Sequence, residues 1–153
     1  MRRVLAALLV IALAVAVAGC GDKGAKQSNA YVDSVNSAQG AFADQLDRLS
    51  RNFTAASTPE QDQRTLGSFK AAVDQAVQRL KAIKPPDRVR ALHRQLVATI
   101  AAYGDDIAKA QRGFGSSSPS TRLKAQTELR TAITQTGDRI NSTIQQINQK
   151  LRS

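Results

Sequence analysis

Apolar residues recur along most of the chain in steps of three and four. Tyr31, Val35, Ala38, Phe42, Leu46, Leu49 and Phe53 draw one stripe, and Leu66, Phe69, Val73, Val77, Leu80 and Ile83 a second. A third runs through Val89, Leu92, Leu96, Ile100, Tyr103 and Ile107. The fourth, weakest at its start, runs through Leu129, Ile133, Ile140, Ile144, Ile147 and Leu151. This spacing places each set on one face of an α-helix. Strict apolar–polar alternation, the mark of a half-buried strand, is missing, and no β-strand is expected.

Turn chemistry separates the stripes. In "STPEQ", Thr58 suits an N-cap, Pro59 the first helical position and Gln61 the reciprocal partner of a capping box. "KPPD" ends the second helix, because Pro85 disfavours helical backbone at Lys84 and proline donates no ladder bond. Asp87 is expected to cap the third helix. Gly113 and Gly115 interrupt it, and Ser118 with Pro119 restarts the chain. Four long helices with short connections predict an all-α fold, an antiparallel up-down-up-down four-helix bundle. An elongated hairpin pairing with a second copy is the architectural alternative.

The first nineteen residues follow a different pattern. Arg2 and Arg3 precede an unbroken apolar run from Val4 to Ala18, closed by Gly19 and Cys20. A positive start, an apolar centre and small residues at the end form an export signal. The run is shorter than the roughly 20 residues of a spanning helix, although an uncleaved anchor is the other reading of the same segment. "VAGC", Val17 to Cys20, resembles the lipobox of bacterial lipoproteins, with Val in place of the commoner Leu at its first position. The resemblance covers residues 1–20. It implies diacylglyceryl attachment to the Cys20 thiol and cleavage before that residue, so that Cys20 becomes the first residue of the mature chain. Cys20 is the only cysteine, and lipidation accounts for an exported thiol with no disulfide partner. The expected organisation is a signal peptide at 1–19, a lipidated cysteine and flexible tether at 20–29, and a helical domain at 30–153. "GDKGAKQSN", with two glycines and almost no apolar content, reads as the tether; nine such residues would span about 15–18 Å.

Charge sharpens this picture. The 153-residue chain carries 22 Lys and Arg against 12 Asp and Glu. Between Arg79 and Arg94 stand Arg79, Lys81, Lys84, Arg88, Arg90 and Arg94, opposed by Asp87 alone. Lys81 and Lys84 suit a helix C-terminus, but Arg88 and Arg90 oppose the dipole at a helix N-terminus. The cluster reads either as a membrane- or anion-facing patch or as a solvated basic turn. In an up-and-down bundle it shares the membrane end with Lys23, Lys26, Lys150 and Arg152. Ten basic residues there face only Asp22, Asp33 and Asp87.

Motifs for chemistry are scarce. His93 is the only histidine, and beyond Cys20 and Met1 there is no cysteine or methionine. A transition-metal site therefore lacks its usual ligands, and His93 reads as a half-buried boundary residue. Asp105 and Asp106 are adjacent, so on a helix they diverge rather than share a proton; they read as solvated surface. Gly40, Gly67, Gly104 and Gly137 fall inside predicted helices and read as tolerated, close helix approach being the alternative. Nucleophile-elbow and phosphate-loop motifs are absent. No enzyme and no cofactor are expected.

The expectation is a lipid-anchored helical lipoprotein, exported to the outer face of a bacterial cell membrane. Its role would be that of a binding or structural component of the envelope. Its partners would be the membrane, through diacylglyceryl-Cys20 and anionic lipid or an envelope polymer, and an envelope protein. Nucleic acid is excluded by export and by the scarcity of stacking aromatics. The alternative function is a lipid-anchored sensor or carrier of a small apolar ligand, with a cavity near Tyr103 and the glycines.

Overall fold

The capping box forms as its residues dictate. The Thr58 hydroxyl accepts from the Gln61 amide at 3.3 Å, and the Gln61 side-chain oxygen accepts from the Thr58 amide at 2.8 Å. In the computed structural model, which describes residues 22–51 and 58–152, this box opens the second of four α-helices. The helices are α1 (Asp22–Ser50), α2 (Pro59–Ala82), α3 (Arg90–Phe114) and α4 (Pro119–Arg152). A single 3₁₀ turn occupies Asp87–Val89, and there is no strand among the described residues. The fold is an all-α four-helix bundle. Export signal, Cys20 and Phe53 lie outside the described residues.

The apolar stripes meet in one core. Leu66, Phe69, Val73, Val77 and Leu80 of α2 are buried, as are Leu96, Tyr103 and Ile107 of α3 and Ile133, Ile140, Ile144, Ile147 and Leu151 of α4. Phe42, Leu49, Ile83, Leu92, Ile100 and Leu129 pack against this core while remaining partly exposed. Helix α3 packs along both α2 and α4, and α1 lies mainly against α2. Two crossings depend on small residues. A β-carbon on Gly104 would come within 3.3 Å of Val73 Cγ1, and one on Gly113 would collide with the Ala125 side chain. Close helix approach, rather than tolerance, explains Gly104, and Gly113, expected to interrupt the third helix, lies inside α3 for the same reason. At Gly40 a β-carbon would meet nothing within 4 Å, and tolerance suffices there.

Two expectations about the chain's path are corrected. Residues 22–29 are helical rather than a flexible tether. Helix α1 extends to Asp22 because Ser28 is only 1% exposed, docked beside Tyr31, Val32 and Val35 of the same face; tertiary packing stabilises turns whose composition alone would not. Asp87 does not cap α3. It opens the 3₁₀ turn, and its carboxylate pairs with Arg90 instead, while the residue before α3, Val89, offers no side-chain cap.

Helix α1 is held unevenly. Its buried residues are Ser28, Tyr31, Val32, Val35 and Ala38. From Gln39 to Leu49 its described side chains are half-buried or exposed.

Leu96, 2% exposed, and Leu123, 64% exposed, offer a direct test of the core assignment. Leu96→Asp should destabilise the bundle by about 4 kcal/mol or more, since it adds an unpaired buried charge to a lost side chain. Leu123→Asp should stay within about 0.5 kcal/mol of the parent. Urea unfolding followed by circular dichroism reads both, and equal midpoints would show the stripe misassigned.

Candidate functional site

One end of the bundle gathers charge. The C-terminus of α2, the Lys84–Pro86 link, the 3₁₀ turn and the start of α3 form a continuous basic corner. Arg79, Lys81, Lys84, Arg88, Arg90 and Arg94 are all exposed there. Helix α1 begins at the same end, because the Arg88 guanidinium donates to the Ser28 hydroxyl at 2.7 Å. Helix α4 finishes there, its residues packing on the 3₁₀ turn. Lys26, Lys150 and Arg152 thus share this end, and among the described acidic side chains it holds only Asp33 and Asp87. Arg90 pairs with Asp87. No carboxylate among the described residues lies within ion-pair distance of Arg79, Lys81, Lys84, Arg88 or Arg94. Elsewhere charges offset one another: Lys70 pairs with Asp74 at 2.6 Å and Lys109 with Glu128 at 3.0 Å.

Behind the basic corner lies a buried polar tie. His93 is 4% exposed, not half-buried as its flanking position suggested. Its Nε2 lies 3.0 Å from the Leu80 carbonyl oxygen, and its Nδ1 lies 3.2 Å from the Tyr31 hydroxyl. A carbonyl only accepts, so Nε2 carries the hydrogen. Nδ1 then presents a lone pair, and the Tyr31 O–H donates to it. Edge-on packing of the two rings, 5.6 Å between centroids, supports the same pairing. Leu80 sits in the last turn of α2, and its carbonyl also accepts from the Ile83 amide at 3.1 Å. A residue of α3 therefore adds a second bond at the end of α2 while holding α1 by its tyrosine.

Burial sets the protonation states. It lowers the His93 pKa below its ordinary 6.5, with the Leu80 bond pulling less strongly the other way. It pushes the Tyr31 hydroxyl up to about 12. Tyr103 is raised as well, first by burial and then by the charge of Asp106.

The described residues also enclose an apolar cavity of about 40 Å³ where all four helices meet. Val35, Phe42, Leu80, Leu96 and Ile144 help to line it, and Gln39 supplies the one polar side chain. Tyr103 and the helical glycines do not line it, although Gln39 adjoins Gly40 and Ile140 lies one turn after Gly137. Asp105 and Asp106 are exposed on α3. No cluster of three or more His, Cys, Asp or Glu suited to a metal occurs among the described residues. No helix among them is long and apolar enough to cross a membrane.

The tie makes stability depend on pH in a defined window. Between pH 7 and 9, His93 is neutral and Tyr31 protonated in both folded and unfolded chains, so the contribution is full. Below about 6.5 the unfolded histidine binds a proton that the folded one resists, and stability falls. Above about 10 the unfolded tyrosines release protons that Tyr31 and Tyr103 retain, and stability falls again. Thermal melting from pH 5 to 11 should therefore show a plateau with two descending limbs. His93→Gln should flatten the limb between pH 6.5 and 5, and Tyr31→Phe should remove part of the alkaline one. An acid limb unchanged in His93→Gln would place its origin elsewhere.

The chain matches no protein-family model, no curated protein and no solved structure.

Proposed function

We propose that this chain is a lipid-anchored envelope component, exported and held on the outer face of a bacterial cell membrane through Cys20. Its basic end faces that membrane, and its role is binding or structural rather than catalytic. The observation that carries the reading is a coincidence at one end of the fold. Helix α1 starts at Asp22, two residues after Cys20, and Ser28 of that helix accepts from Arg88 in the centre of the basic corner. An anchor at residue 20 and the unbalanced positive charge thus belong to the same face. With an anionic bilayer as neighbour, that charge has a partner which the remainder of the bundle does not supply.

The carrier reading finds less support. The apolar cavity among the described residues, about 40 Å³, is far smaller than the roughly 150 Å³ of an engineered apolar cavity that takes benzene. Such a volume fits imperfect packing under the loosely held half of α1.

The anchor is tested at its covalent step. In a bacterial host, Cys20→Ala should abolish incorporation of labelled fatty acid and leave precursor or a differently processed form. Mass spectrometry of the parent should find the diacylglyceryl group on Cys20 at the N-terminus. Lipid attached elsewhere, or an unchanged product from Cys20→Ala, would overturn the reading.

A further inference from the structure

We infer that the basic corner is a docking surface for the phosphate headgroups of anionic lipid, and that it holds the bundle upright on the bilayer. This inference rests on the anchor at residue 20. Because α1 is helical from Asp22, only Gly21 separates its start from Cys20, and the two steps span at most about 7 Å. Screening at physiological salt sets a Debye length of roughly 8 Å. The six residues from Asp22 to Ser28 add about 9 Å of helical rise, so a rigid spacer rather than a flexible tether sets the distance between the bilayer and the corner's long basic side chains.

The corner is also stiff, so its charges present a fixed pattern. Arg88 is braced on Ser28, itself 1% exposed, and the tyrosine–histidine tie fixes α1 to α2 and α3 one turn further in. Lys81 of α2, Lys84 of the link and Arg94 of α3 are exposed at that end, with no carboxylate to satisfy them among the described residues. A surface of many phosphates meets several of these charges at once, whereas a single free phosphate does not. The remaining basic and acidic residues nearly balance along the bundle, so a bundle lying on its side would forfeit the attraction.

Orientation is therefore the readout. The full chain, produced in a bacterial host and purified from its membranes, is reconstituted into vesicles with a donor dye on an azide-bearing residue at position 117, in the distal loop. An acceptor is placed in the bilayer surface. On vesicles with a third phosphatidylglycerol, the dye should stand about 37 Å off the surface, the length of α3 at 1.5 Å per residue. On pure phosphatidylcholine the mean height should drop to roughly 26 Å or less, equivalent to a tilt of 45° or more. Lys81→Gln, Lys84→Gln and Arg94→Gln together keep Arg88 and Arg90 in place, and should produce the same drop on the anionic vesicles. Arg64→Gln, Arg112→Gln and Arg130→Gln together should leave the height unchanged.

Equal heights on the two vesicle types, or equal effects of the two triple variants, would overturn the inference while leaving the anchor standing. Loss of height on adding inorganic phosphate, beyond that caused by chloride at the same ionic strength, would reassign the corner to a free anion and overturn it too. A chain that floats with neither vesicle type would overturn both readings.

Discussion

A single imidazole holds three helices of this bundle to one another. His93 enters from α3, donates to the last turn of α2 and accepts from a tyrosine of α1. Each of these groups would be expensive to bury alone. They meet only while the helices keep their relative heights, so the tie adds a directional constraint to the axial register that the close-packed core also sets. Everything near it inherits that register. The basic corner is continuous because α1, α2 and α3 reach the same level, and Ser28 meets Arg88 for the same reason.

Coverage along the bundle varies with the position of α1. Near the tie, Val89, Ile147 and Leu151 are all but inaccessible to solvent, at 1% exposure or less. Toward the distal half, Phe42, Ile100 and Leu129 are only partly covered, and the cavity marks the transition. For α1 the densest burial lies at the end that also concentrates charge. Crowded like charges favour a loosened structure, and the dense packing beneath them opposes that tendency.

Much of the architecture was legible because spacing encodes it directly. The stripes from Leu66 to Leu80 and from Ile140 to Leu151 are buried as their period requires, and Thr58, Pro59 and Gln61 form the cap that their side-chain chemistry dictates. Polar residues at core positions were harder to read. Ser28 stands three and seven residues before Tyr31 and Val35, and His93 lies four after Val89 and three before Leu96. Both therefore occupy helical core positions, but a serine in a polar run and a histidine beside arginines resemble surface. Their burial depends on partners 60 and 62 residues away, which local pattern does not reveal. The basic residues were visible from composition; that helix α1 abuts them depended on the same distant contacts. Asp87 shows the converse, a residue type suited to capping that was displaced by an intervening 3₁₀ turn.

The uneven burial of α1 has a mechanical consequence. Its well-seated residues, Ser28 to Ala38, lie at the end where the chain enters the bundle, and its sparsely covered residues lie beyond Gln39. A pull applied at Asp22 along the bundle axis loads the seated segment first, in shear, so several buried contacts must break together before the helix moves. A pull applied from the opposite end of α1 meets the sparsely covered turns first, and these part before the seated segment is loaded. The helix is thus built to resist tension from one direction, that of its own N-terminus.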